Sequence, residues 1–169
     1  MIGPKRKPQE FGFKTGDSHL IVNDISETMK AFSFDGELLW EIPCLARGQG
    51  SDREWQARNS DTPPGLYKLG AVYRDYEFYG PEGRHERDCM SYGWYSFDMV
   101  DLEGNENAYR AGIMVHGGGS ALGWPGAWAP HQRLLPTLGC VRLRNADLRD
   151  RVLPLYEQGT VFVSVIQES

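Results

Sequence analysis

At 169 residues, with 40% hydrophobic and 24% charged side chains, the chain has material for one domain with a substantial core, and too little for two ordinary ones. That balance excludes global disorder, and a net charge of −5 is a poor electrostatic start for binding nucleic acid. The only basic run, Lys5-Arg6-Lys7, reads as a solvated tail, and no stretch is long and apolar enough to span a membrane.

Residues 1–18 read as a flexible leader and residues 19–169 as the domain. The leader has positive charges but no apolar run behind them, so it is not a complete signal peptide. Export then needs either a signal removed beforehand or a route without one. From His19 the chain alternates, with Leu20, Val22 and Ile25 in one run and Met29, Phe32 and Phe34 in the next. Asp35-Gly36 is a tight-turn signal, and Leu38–Pro43 resumes as a strand, so the opening reads as an antiparallel meander. Residues 47–61 form a polar loop. Thr62-Pro63-Pro64-Gly65 then turns into a strand at Leu66-Tyr67-Lys68-Leu69. Tyr73–Asn107 reads as long binding loops with a strand near Trp94–Val100.

Ala111–Val115 is a short apolar run, a buried strand that ends at His116-Gly117-Gly118-Gly119. Near the C-terminus Asn145 is a good helix N-cap. Asp147 sits in the first turn, and Leu148, Val152 and Leu155 share one helical face. Pro154 is expected to kink or end that helix. Gly159 precedes a β-branched final strand, Thr160–Ile166. Twenty glycines and ten prolines favour many turns, and the sum is a mostly β domain, mainly antiparallel, with one clear helix near its end.

Three cysteines, Cys44, Cys89 and Cys140, cannot all pair within one chain. They form no C-x-x-C, which argues against a zinc ribbon or a thioredoxin-type site. Cys44 and Cys89 read as small buried hydrophobes. Cys140 has different neighbours. A cysteine nucleophile needs a base, donors for a developing oxyanion and some exposure. His116 ends a strand that can aim its imidazole, and Gly139 lets the backbone approach a substrate closely. Arg142 alternates to the same face as Cys140, to hold the turn or bind a carboxylate. Spacing alone leaves open a core cysteine and an unrelated surface histidine. A metal site from His116, His131 and Cys140 lacks ligand spacing and a fourth ligand, and no cofactor is called for.

The stretch His116-Gly117 followed by Thr137-Leu138-Gly139-Cys140-Val141-Arg142 and Asn145 resembles the active-site motif of the L,D-transpeptidase (YkuD-type) catalytic domain. The resemblance extends in the family's order to Leu20–Asn23, Phe34–Glu37, Thr62–Tyr67 and Gly159–Val163, covering roughly residues 19–167. It implies a β-sandwich or barrel with long active-site loops. It also implies that His116 deprotonates Cys140, that the Gly117 carbonyl orients the imidazole, and that the Gly139 and Cys140 N–H groups hold the oxyanion. The implied substrate is a peptidoglycan stem peptide: a tetrapeptide donor, cut before its D-residue, and an amine acceptor.

Water as acceptor gives an L,D-carboxypeptidase or endopeptidase, such as a secreted antibacterial effector, and a free D-amino acid gives exchange. A catalytically idle wall-binding module is the alternative from another class. The implied location is the periplasm or cell wall, and the chain is read as a monomer. Thr137, Asn145, Gly118, Trp124, Trp128 and Tyr92 are the remaining candidates for binding substrate or supporting the site. Trp94, like Trp124 and Trp128, could line the cleft, although core or loop anchor is the commoner place for a tryptophan in a β domain, and the same discount applies to Tyr67 and Tyr92. Two departures from the family pattern are Leu138, where histidine is common, and an insertion at residues 120–136 that carries His131.

Overall fold

The computed structural model of the protein describes residues 2–48, 61–104, 112–120 and 123–169. The opening meander is β1 (Ser18–Asn23), β2 (Thr28–Ser33) and β3 (Leu38–Pro43), paired antiparallel in sequence. Along β1, Leu20 and Val22 turn inward while His19 and Ile21 are less buried, the period of two expected of a sheet with one covered face. In β2 the inward residues are Met29 and Ala31. The register shifts between Ala31 and Phe32, so Phe32 and Phe34 do not share the face of Met29 as the alternation suggested. Phe34 instead meets Phe13 edge-on, and Phe13 also packs on Phe162.

β4 (Gly65–Tyr73) and β5 (Ser96–Asp101) pair antiparallel, and β6 (Met114–His116) follows on β5. The connection between β4 and β5, expected as loops, holds two short helices, α1 (Asp75–Tyr79) and α2 (Arg87–Tyr92). Both carry aromatic and charged residues without a clean apolar stripe, which hides them from a periodicity argument. β7 is two residues, Val141–Arg142. A helical stretch then runs as α3 (Asn145–Asp147), a π-helical turn (Leu148–Val152) and α4 (Leu153–Gln158). Pro154 does not end it. The wider π turn before Pro154 suits a residue with no N–H and a bulky ring. Leu148, Val152 and Leu155 are buried, as their spacing predicts.

β8 (Val161–Ile166) enters the middle of the sheet, parallel to β1 and antiparallel to β4, giving the order β3-β2-β1-β8-β4-β5-β6-β7. Its first five residues are all buried, consistent with a strand covered on both faces. The outer edges then meet. Leu45, just past β3, exchanges both backbone hydrogen bonds with Arg142 of β7 at 2.9 and 2.8 Å, so the mixed sheet curls around one core with the C-terminal helix.

Residues 2–17, read as a leader, are tied to this body. Ile2 pairs with Gln167, Pro8 is buried, and the Asp17 carboxylate accepts from the Thr160 N–H at 3.0 Å. Cys44 and Cys89 are buried, and burial raises both thiol pKa values. No helix among the described residues is long and apolar enough to cross a membrane.

Candidate active site

Strand register builds the site. In the parallel pair β6–β7, Val115 lies opposite Val141 and His116 opposite Arg142. Cys140 immediately precedes β7, so the parallel register that buries Val115 and Val141 sets it level with Met114, two residues before His116. His116, Cys140 and Arg142 line one cleft of about 700 Å³ together with Tyr92, Thr137 and Leu138.

His116 is 3% exposed. Its Nδ1 donates to the Gly117 carbonyl at 2.8 Å, which leaves Nε2 as the basic nitrogen. That carbonyl also accepts from Arg142 Nε at 3.1 Å. Burial, and then the Arg142 charge, hold the imidazole pKa down at about 4, while the Gly117 bond pulls it the other way. Tyr92 meets the ring edge-on at 5.0 Å between centroids. The imidazole is thus neutral near pH 7, and among the described residues its orientation is set by main chain and an aromatic ring.

Arg142 is buried, and its planar fork is shared among carbonyls. Nε reaches Gly117, one terminal nitrogen reaches Leu135 at 2.7 Å and Pro136 at 3.5 Å, and the other reaches Ser91 at 3.3 Å. Of the two roles read for it, holding the turn is the one its contacts serve. Burial lowers its pKa to about 10, and nearby Cys140 acts in the opposite sense. Arg142 is therefore electrostatically coupled to the thiol.

The turn carrying Cys140 is bracketed by two threonines. Thr137 Oγ1 accepts from the Gly139 N–H at 3.1 Å and donates to the Cys140 carbonyl at 2.7 Å. Thr62 Oγ1 donates to the Gly139 carbonyl at 2.7 Å. The Gly139 N–H, expected in an oxyanion hole, is thus turned onto Thr137. Gly139 has φ +114°, a backbone angle that favours glycine.

Asn145, expected as a helix cap, is a buried cross-link. Its Oδ1 accepts from the N–H groups of Gly118 at 3.0 Å and Trp94 at 3.3 Å. Its Nδ2 donates to the carbonyls of Ala127 and Ala129, and its own N–H is held by Gln132 Oε1. Gln132 in turn donates to the carbonyls of Gly118 and Leu143. A side chain at Gly117 or Gly93 would run into Asn145 Oδ1.

The tryptophans lie elsewhere. Trp128 is buried, donates to the Gly80 carbonyl and accepts on its own carbonyl from the Trp94 indole. Trp124 stacks on His85. Neither lines the cleft. His131 is exposed near Asp147 and Asp150 and does not stand in for the histidine that Leu138 displaces. Leu138 itself is 58% exposed at the cleft.

Sequence reasoning missed Arg87, Asp88 and Ser91, brought to the cleft by α2, and Ser120, Leu135 and Pro136 from the insertion. It also missed Gln132 as the partner of Asn145. The charged Arg87-Asp88 pair in an aromatic-rich stretch was the available signal. Among the described residues no cluster of histidine, cysteine and carboxylates is arranged to hold a metal.

Residues 18–160 match the YkuD L,D-transpeptidase catalytic domain. The chain belongs to that family. Among solved structures, Bdellovibrio bacteriovorus Bd1075 is 16% identical with a TM-score of 0.58, over 99% of this chain and 51% of that one. The L,D-transpeptidase of Xylanimonas cellulosilytica, residues 123–326, is 19% identical with a TM-score of 0.50, over 90% and 62% of the two chains. These likenesses bear out the L,D-transpeptidase fold, a mostly β mixed sheet with a C-terminal helix. The chain spans less than two thirds of either solved relative. No curated protein matches it.

Proposed function

We propose that this L,D-transpeptidase domain transfers the acyl group of peptidoglycan stem peptides through a thioester on Cys140. The observation that carries the reading is the Gly117 carbonyl. By accepting the hydrogen bond of the His116 Nδ1–H while held by Arg142, it fixes a neutral imidazole with a basic Nε2 in the cleft that Cys140 lines. A histidine so oriented meets the requirement for activating a thiol, and the Arg142 charge offsets the cost of forming a thiolate beside it.

His116 Nε2 takes the Cys140 proton. The sulfur then bonds to the carbonyl carbon between the L-centre and the following D-residue, and the C=O electron pair moves onto oxygen. Collapse of that intermediate breaks the C–N bond, and the proton on His116 passes to the departing amine of the D-residue. An amine of a second stem peptide attacks the thioester, returns one proton through His116 and leaves the thiol regenerated. No metal or redox partner is required for this balance. The location that follows from the substrate is the periplasm or cell wall.

The cleft, of about 700 Å³ and lined by Arg87, Asp88, Tyr92 and Leu138 among others, falls in the volume range of ligand-binding clefts. Incubating the protein with purified disaccharide-tetrapeptide and resolving the products by mass spectrometry tests the reading. Cross-linked dimer is the expected product. Tripeptide alone would assign the thioester to water and the protein to the hydrolases, and unchanged tetrapeptide would remove stem peptides as its substrate.

A further inference from the structure

The turn at Cys140 has a second anchor that the acyl-transfer chemistry above does not use. Thr62 is fully buried and follows β3 by a long excursion of chain, yet its hydroxyl lies 2.7 Å from the Gly139 carbonyl. The same oxygen is 3.1 Å from the Ala46 carbonyl, which already accepts the Thr62 N–H at 2.8 Å. A hydroxyl has one proton to give, and the shorter contact to Gly139 takes it.

This bond fixes a peptide plane. In a trans peptide the carbonyl and the following N–H point in opposite directions, and Trp124–Pro125 is the only cis bond among the described residues. A Gly139 carbonyl drawn down to buried Thr62 therefore turns the Cys140 N–H the other way, out of the interior that Thr62 occupies. Thr137 takes the Gly139 N–H and gives its own proton to the Cys140 carbonyl. Thr62 and Thr137 thus set the direction of three main-chain polar groups around the nucleophile, and the planar geometry sets the fourth.

We infer that Thr62 is a positioning residue for acyl transfer, its hydroxyl holding the Gly139–Cys140 peptide so that the Cys140 N–H faces the acyl oxygen. The inference rests on the proposed thioester chemistry at Cys140. Removing the hydroxyl releases the Gly139 carbonyl, lets the plane rotate and weakens the one backbone donor aimed at the developing oxyanion. The sulfur and its base are left in place. Alkylation of the thiol, which develops no oxyanion, is then spared, and attack on a carbonyl is slowed.

The test compares Thr62→Val, nearly isosteric but without the hydroxyl, with Thr62→Ser, which keeps it. Two rates are measured on each purified protein: alkylation of Cys140 by iodoacetamide, and acylation by imipenem followed by intact mass. For Thr62→Val the expected result is acylation slower by about 10- to 100-fold, below the 10²–10³ that loss of a whole oxyanion donor costs. Its alkylation should stay within about threefold of wild type, and Thr62→Ser should restore acylation to the same margin. Should Thr62→Val fail to fold, Thr62→Ala measured against Thr62→Ser makes the same comparison.

Equal losses of alkylation and acylation would show a merely structural role and overturn the inference. So would undiminished acylation in the variant without the hydroxyl, or a serine variant as slow as valine. Wild-type protein that neither acylates with imipenem nor converts tetrapeptide would instead defeat the thioester reading itself, a separate failure.

Discussion

His116 and His19 each contribute to the acid response of the molecule. Each is held by burial at a pKa of about 4, against an ordinary 6.5. Between those values the unfolded chain binds protons that the folded chain refuses, so unfolding gains on folding as pH falls. The stability these groups contribute is whole above about pH 6.5 and is lost progressively down to about pH 4. His19 tests this away from the cleft, since its Nε2 lies 2.6 Å from Ser164 Oγ across the β1–β8 pair. In His19→Asn the stability lost between pH 7 and pH 4.5, read from urea midpoints, should be smaller than in wild type. An unchanged loss would mean that His19 titrates normally in the folded state. At His116 the same physics means that the base stays neutral in mildly acidic solution, a condition for accepting the Cys140 proton.

Elements meet at Asn145, where the first turn of α3 is tied to the loop after β6, the start of the Trp94 segment and the insertion through Ala127 and Ala129. Asn145→Ala would strand two N–H groups and the Ala127 carbonyl in a buried region and free the half-buried Ala129 carbonyl. At about 1–3 kcal/mol for each buried group left unsatisfied, partly relieved by relaxation, the expected destabilisation is about 3–5 kcal/mol. Chemical denaturation measures it, and a change below about 1 kcal/mol would show that water replaces the amide.

This element also marks the limit of what sequence made legible. The helix, its buried face of Leu148, Val152 and Leu155, and the strand after Gly159 follow from spacing alone. The partners of Asn145 lie 13 to 51 positions away, and a local capping rule had no access to them. Pro154 misled for a related reason, because a π turn that accommodates proline leaves no signature in apolar periodicity.

At the scale of the whole molecule, the meander, the β-branched final strand and the mostly β class were readable from alternation and turn chemistry, whereas the place of β8 in the middle of the sheet was not. Closure was not. The Leu45–Arg142 bridge joins the two edges of the sheet through residues with no distinguishing pattern, and only that closure brings Ala46 and Thr62 under the Cys140 turn. The cleft was half legible: His116, Cys140, Thr137, Arg142 and Tyr92 lie on it, and the α2 residues Arg87, Asp88 and Ser91 reach it only through tertiary packing. Of the two places read for the tryptophans, core or loop anchor is where they sit: Trp128 is buried against Gly83 and Gly80, and Trp124 stacks on His85.

The proposed acyl transfer runs through a covalent intermediate at one sulfur, and intact-protein mass spectrometry of a rapidly quenched reaction with disaccharide-tetrapeptide reads it directly. Wild-type protein should gain the mass of the acyl fragment left after loss of the terminal D-residue, mapped to the peptide containing Cys140, while Cys140→Ala gains nothing and forms no product. Equal product from both proteins, or an adduct on any other residue, would contradict a Cys140 thioester.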